Sequence, residues 1–447
     1  MPTVGGLFDA ALEPPPTRPA RFPIMSDPHN PSDDSAAPHE PYIAALDGLR
    51  GVAVMLVAGG HYMAFEGGAP LSVTASTLAG LGMTVFFVLS GFVIHYNYSA
   101  KIVRPGGMRA FFAARFARIY PLYIVLFLFD LAYTAFTARD ACGRIGTPDE
   151  QWLGLVFYLT LTQSWFYAVI CRASLIYQYG PVAAAAWAIS VEVFFYLAYV
   201  AVATLIARRK WSPRDVIVMA ATAFCLVVIY FLVCRHYEED INRIGVAIFG
   251  SSASTDNGYE DSLLRWLFYF NPAARLGEFL AGLAAAQLYL ARWRHPATLA
   301  GPRASAVTLA AILALVMIHL WLYGVVAYHS SFIGRTASPL YGPLVATTIY
   351  LVARYDTPWS RLFSHAIPVR LGEVSYSIYL LHEIIPSAFK RLGLTTTDVA
   401  VAWVTWAGAL LLLALISLVS YAVIERPART WIRALLAPRG ASRAPDN

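Results

Sequence analysis

Apolar residues in this chain come in long unbroken runs, not in the short alternations of strands or the narrow stripes of surface helices. The runs fall near 43–63, 77–98, 119–138, 152–170, 187–207, 215–234, 264–290, 306–326, 336–352, 368–388 and 400–424. A helix needs about 20 apolar residues to cross about 30 Å of hydrocarbon, so most of these runs can span a bilayer. Charge in the connecting loops decides how many do. If all eleven runs cross with the N-terminus inside, the loop ARRKWSPR from Ala207, with four basic residues, faces outward. Short cytoplasmic loops tend to hold Lys and Arg, so that parity is wrong. Treating 139–186 as one external excursion, with the aromatic run 152–170 re-entrant or interfacial, brings the basic loops to one side. That side then holds Lys101 to Arg118 with five positives, Arg208 to Arg214 with four, Arg292 to Arg303 with three, Arg354 to Arg370 with three and the C-terminal end with five. The pattern predicts an all-α polytopic membrane protein, a bundle of about ten transmembrane helices plus a re-entrant or interfacial segment, with both termini cytoplasmic. Eleven crossings with weak charge bias are the competing reading.

Composition narrows the picture further. Of 447 residues 58% are apolar and 13% charged, against about 25% charged in soluble domains, which leaves little for a separate soluble domain. Residues 1–40, rich in Pro, Ala and Asp and without a long apolar stretch, read as a disordered cytoplasmic lead. Residues 41–434 form the membrane domain and 435–447 a flexible cytoplasmic tail. The net charge of +6 is spread over short loops, which suits orientation in a bilayer and argues against a nucleic-acid surface. Cys142, Cys171, Cys225 and Cys234 show no metal-binding spacing and no disulfide framework, although Cys142 and Cys171 share one loop region.

Polar groups inside the apolar runs are the candidate chemistry, because a charge at the centre of a membrane helix costs about 2.5–3.5 kcal/mol on insertion scales. The first run, AALDGLRGVAVMLVAGGHYMAF, places Asp47 and Arg50 near its inner end and His61 eleven positions beyond Arg50, about 16 Å deeper. Asp47 and Arg50 can be an anchoring ion pair, and His61 either a proton acceptor or a packed hydrogen-bonding residue. Arg115 and Arg118, three apart, share a helix face and suit either a phosphate clamp or a positive-inside anchor. Glu192, five residues inside Trp187, reaches a depth comparable with His61 and is expected to orient its ring, or else to join a network with Ser190, Tyr196 or Arg275. Arg275 and Glu278 at i, i+3 read as a compensating scaffold pair. Glu373, Tyr376, Tyr379 and His382 share a helix that rises to the outer side, with His382 and Glu383 near the external mouth. His95 reads as interfacial.

These residues stand in strings that resemble the integral-membrane acyltransferase family 3, which includes bacterial O-antigen, exopolysaccharide, nodulation-factor and macrolide acyltransferases. The strings are LDGLRG at Leu46–Gly51, Arg50 with ten residues before His61, FFVLSGFV at Phe86–Val93, and Arg115-Phe116-Ala117-Arg118 before IYPLY. ISVEVFFY from Ile189, NPAARLGEFLAG from Asn271 and SYSIYLLH from Ser375 complete the set, which covers roughly residues 42–427. The resemblance implies an acyltransferase moving a non-aminoacyl group, often acetyl, from cytoplasmic acyl-coenzyme A to a hydroxyl of a carbohydrate or glycolipid acceptor in a bacterial inner membrane. It implies Arg50 and His61 as an essential pair, Glu192 as a catalytic glutamate, and Arg115 and Arg118 on the donor side. Asp47, Arg275, Glu278, Tyr376 and His382 remain structural or acceptor-side candidates. Ala188 and Val193 depart from the family pattern, which commonly has Ser and a second Glu there. A thioester is already activated, so the expectation is a base and charge stabilisation, with no metal and no permanently bound cofactor. A transporter and a non-enzymatic scaffold are the rival classes, and a glycosylated metabolite is the rival acceptor.

Overall fold

The computed structural model describes residues 41–66, 69–137, 148–170, 173–177, 179–325, 339–394 and 398–436. The lead 1–40, Cys142, Cys171 and all but the start of the tail lie outside the described residues. Helices dominate. They run α1 (Ala44–Glu66), α2 (Ala69–Tyr98), α3 (Gly107–Thr137), α4 (Pro148–Leu159), α5 (Pro181–Ala185), α6 (Trp187–Arg209), α7 (Pro213–His236), α8 (Glu238–Phe249) and α9 (Leu263–Arg265). After these come α10 (Pro272–Arg292), α11 (Gly301–Val325), α12 (Gly342–Arg354), α13 (Pro358–Phe363), α14 (Ala366–Glu373), α15 (Ser375–Leu381), α16 (Ile384–Arg391), α17 (Val399–Ser420) and α18 (Arg426–Leu436). The chain is an all-α polytopic membrane protein, and six of its described helices are long and apolar enough to cross a bilayer by themselves.

Several apolar runs are interrupted, each for a local reason. The only helix in the run 152–170 is the end of the 12-residue α4, which starts before it at Pro148 and stops at Leu159, about 18 Å long and short of a crossing. Leu161 then turns the chain with a left-handed φ of 56°, and a two-residue antiparallel ladder pairs Val169 with Ser174. The run 264–290 carries a π turn at Trp266–Phe270 before Asn271 caps α10 by accepting from the Ala273 amide, with Pro272 in the first turn. The run 368–388, expected as one helix, is three: α14 ends at Glu373, Val374 interrupts, and α15 ends at Leu381 before a turn at His382 and Glu383.

The bundle centre is built by α1, α2 and α10. Small residues bring these helices into backbone contact, as membrane helix interfaces require where no hydrophobic driving force separates them from lipid. A Cβ on Gly91 of α2 would lie 2.0 Å from the Phe279 carbonyl oxygen, and one on Gly282 of α10 would lie 1.9 Å from that of Val88. Arg275 and Glu278, both fully buried, form the expected i, i+3 pair at 3.1 Å. The Arg275 guanidinium also lies 5.0 Å from the ring centres of Phe87 and of Tyr269. On the periphery, Leu226, Ile229 and Leu232 of α7, Met317 and Trp321 of α11 and Val404, Leu411 and Val419 of α17 are exposed. In a chain this apolar such faces are the lipid surface, while the backbone polar groups stay satisfied inside each helix.

Candidate active site

Two polar clusters interrupt the apolar core, one at the start of α1 and one eleven residues further along it. At the first, the LDGLRG string packs on α14 with almost no side-chain separation. A Cβ on Gly372 would lie 1.9 Å from the Asp47 carbonyl oxygen, and one on Gly51 2.2 Å from that of Pro368. This contact holds Arg50, which donates to Asp47 at 2.7 Å in a largely buried pair. Arg50 opens onto a pocket of ≈ 730 Å³, mouth included, shared by α1, α2, α3, α6 and α15. Arg115, Arg118, Ser90, Glu192, Tyr376 and Tyr379 are among its polar groups, and Phe86, Phe87 and Ile119 form part of its apolar wall.

The pocket lining carries an excess of positive charge: three guanidinium groups and one carboxylate, with Asp47 paired to Arg50. Glu192 Oε1 accepts from the Ser90 hydroxyl at 3.2 Å. Arg115 donates to the Tyr98 hydroxyl at 3.2 Å and lies 5.1 Å from the centre of the same ring, which fixes its planar fork. Arg118 makes no hydrogen bond or ion pair with a described residue, so its donors remain available. Tyr376 donates to the Ile119 carbonyl at 2.6 Å, tying α15 to α3. The arrangement is suited to a polyanion with an apolar extension, because guanidinium forks match phosphate oxygens and the aromatic wall accepts a carbon chain.

The second cluster gathers His61 of α1 with His382 and Glu383 at the break after α15. His61 Nε2 lies 3.3 Å from Glu383 Oε1, and His382 Nε2 lies 3.7 Å from the same oxygen. The two rings sit edge to face with centres 4.8 Å apart. His61 Nδ1 meets the Val57 carbonyl at 2.9 Å. A carbonyl oxygen only accepts, so Nδ1 carries the hydrogen and Nε2 of the neutral ring carries the lone pair. Nearby, Trp406 of α17 donates to the Gly59 carbonyl at 3.1 Å and steadies this stretch of α1. Tyr379 links the clusters: it lines the pocket, its ring centre is 5.3 Å from that of His382, and its hydroxyl donates to Ala185 at 2.7 Å.

The expected partnership of His61 with Glu192 does not form; Glu383 takes that place. A depth for Glu192 comparable with His61 requires Trp187 at the outer end of its helix. Trp187 is instead buried, its ring centre 4.9 Å from that of Tyr269 and 6.0 Å from that of Phe87. Because α6 starts inside the bundle, Glu192 lies at the arginine end. Arg50, Arg115, Arg118, Glu192 and Tyr376 come together, whereas His61 and His382 meet in the second cluster and Arg275 and Glu278 remain a pair in the scaffold. Asp47 supports Arg50. Sequence reasoning placed Glu383 near the mouth without giving it a role; the adjacent His-Glu of LLHEII was the available signal. His95, expected at an interface, is buried, with Nε2 2.6 Å from Gln287 Oε1.

Comparison with known proteins gives the family. The profile described as an acyltransferase domain, of the acyltransferase 3 type, matches residues 43–425. The chain therefore belongs to the acyltransferase 3 family and is a membrane acyltransferase. It is 28% identical over 423 residues to the protein named acyltransferase MdmB of Streptomyces mycarofaciens, covering 90% of this chain and 95% of that one. It is 31% identical over 205 residues to protein 2 in the picA locus of Rhizobium radiobacter, covering 43% of this chain and 97% of that protein. No solved structure matches.

Proposed function

We infer that this acyltransferase moves an acyl group, acetyl in the simplest case, from acyl-coenzyme A to a hydroxyl of a cell-surface, lipid-linked or secreted carbohydrate. The observation that carries this reading is the pocket itself. Three guanidinium groups stand at one end, and its wall residue Tyr379 touches the cluster that contains His61. The basic loops 101–118, 208–214, 292–303 and 354–370 support a cytoplasmic position for the arginine end in a bacterial inner membrane, with both termini cytoplasmic. Arg115 and Arg118 then hold the phosphates of coenzyme A, Arg50 lines the inner channel, and the pantetheine arm extends along the apolar wall towards His61.

In the transfer, the acceptor oxygen forms a bond to the thioester carbonyl carbon while its proton passes to His61 Nε2. Glu383, beside that nitrogen, stabilises the imidazolium, as a carboxylate does for a general base. The carbon–sulfur bond then breaks and the coenzyme A thiolate recovers the proton. Glu192 and Ser90 organise the donor pocket in this scheme and do not assist the base directly. The test is mass analysis of cell-surface and secreted glycans from deletion and complemented strains. A missing acyl group on one carbohydrate, restored by the wild-type chain and not by His61→Ala, is the expected result. An unchanged acyl inventory in every glycan fraction, with an acyl group missing from a small glycosylated metabolite, would replace the acceptor with the metabolite.

A further inference from the structure

The second cluster has a feature that acyl transfer does not require. His382, like His61, has its Nδ1 against a main-chain carbonyl, that of Tyr379. Both Nδ1 atoms therefore carry hydrogens, and both neutral rings present Nε2 lone pairs to a single carboxylate oxygen. Among the described residues no N–H or O–H donor reaches Glu383 Oε1 or either Nε2. Three electron-rich atoms converge with nothing positive between them. One proton on one ring relieves one of these contacts and leaves the other ring with its lone pair facing the acid. A cation between the three relieves all of them.

The geometry fits a particular kind of cation. One ligand atom from each of His61, His382 and Glu383 lies within 4.8 Å of the other two, and the Nε2 atoms of His61 and His382 are 3.3 and 3.7 Å from Glu383 Oε1. Tetrahedral zinc, with bonds of about 2.0–2.2 Å to nitrogen and oxygen, places its ligands about 3.4 Å apart. A histidine ligand commonly donates its other N–H to a main-chain carbonyl, which fixes ring and tautomer, and both rings already do so here. Two imidazoles and one carboxylate match the ligand preference of a borderline divalent ion over calcium or magnesium, which favour oxygen. The helix break after Leu381 lets His382 and Glu383, adjacent in sequence, point to one spot. The His61 side chain keeps 37% of its surface exposed and Glu383 18%, which leaves a way in and room for a fourth ligand.

We propose that His61, His382 and Glu383 form a binding site for one zinc-class divalent cation. Binding itself stands on this geometry alone. Its consequence for catalysis rests on the proposed function: the ion takes the Nε2 lone pair that His61 needs as a base, so zinc and acceptor exclude each other and zinc inhibits transfer.

The experiment uses the full-length chain in lipid nanodiscs, stripped with a chelator, with Zn²⁺ titrated against a chromophoric competitor. The expected result is one Zn²⁺ per chain. Loss of a second-shell partner alone costs about 10–100-fold in affinity, so His382→Gln and Glu383→Gln should each weaken binding at least about 100-fold. His236→Ala, an exposed histidine outside the cluster, should bind as wild type does. Failure of the wild-type chain to take up stoichiometric Zn²⁺, or equal affinity in the His382→Gln and wild-type chains, overturns the proposal without reference to folding of the variants. Acyl transfer is measured in parallel. Transfer that depends on His61 without zinc binding removes the cation site and keeps the proposed function, whereas zinc binding with wild-type transfer rates in His61→Ala does the reverse.

Discussion

The two polar clusters of this protein sit on the same helix, about 16 Å apart along α1, and have opposite imbalances. The pocket beside Arg50 is lined by three guanidinium groups and one carboxylate, Glu192, which is held by a serine hydroxyl, while Asp47 pairs with Arg50. Around His61 two imidazole lone pairs and a carboxylate face each other, with both δ nitrogens tied to main-chain carbonyls. One cluster has an excess of positive charge and the other lacks a proton or cation. Inside a helix bundle such imbalances are screened less than at a protein surface, so each favours the species that completes it. A phosphate-bearing donor suits the first and a hydroxyl proton suits the second. Similar charged residues scattered through an apolar chain therefore need not form one site.

The largest effect that could break this division is expected at His61. His61→Ala should lower single-turnover acyl transfer by about 10²–10⁴-fold, the range for loss of a general base, with acyl-coenzyme A affinity retained. A fall in affinity with the rate per bound donor unchanged would merge the two clusters into one binding site. Next in size is Arg118→Ala. Charge-assisted hydrogen bonds contribute about 1.5–3 kcal/mol, so donor affinity measured by titration should weaken by about 10–100-fold. Added salt should reduce the difference if Arg118 acts mainly as a charge.

Two carboxylate variants sharpen the contrast. Glu383→Gln should lower kcat with little change in the donor KM, whereas Glu192→Gln should act mainly on the donor KM. Steady-state kinetics with varied acyl-coenzyme A separates the two, and the same pattern in both variants would contradict the separate assignments. A smaller, purely structural effect is expected at Gly91. A side chain there meets the Phe279 carbonyl, so Gly91→Val should cost about 1–3 kcal/mol through overpacking, read as a lower midpoint of thermal unfolding in detergent. The smallest effect is expected at Ser212, which accepts from the Asp215 amide at the start of α7 while Asp215 accepts from the Ser212 amide. Ser212→Ala should cost about 1 kcal/mol of stability through the lost cap and leave both clusters' kinetics unchanged.

Much of this was legible along the chain because membrane helices are written in composition. A long apolar run has to become a helix in lipid, so α2, α3, α6, α7, α11 and α17 follow from residue type. The i, i+3 spacing placed Asp47 beside Arg50 and Arg275 beside Glu278, because that separation is a neighbour relation on any helix. The string LLHEII was visible too, but a continuous apolar run gave no reason to break the helix there, and no local rule assigns a partner to an adjacent His-Glu pair.

The order of residues along the chain sets the class of this protein, the polar residues its bundle must accommodate, and their succession along each helix. All of these are local properties, set by hydrophobicity and helical period. Tertiary structure decided which acid meets which base. Depth in a bundle depends on where each helix begins, and α6 begins inside because Trp187 is packed among Phe87, Tyr269 and Phe270. That buried start carries Glu192 to the arginines, and the break after Leu381 turns Glu383 towards His61. Neither relation is a short-range one, so neither was present in spacing along the chain.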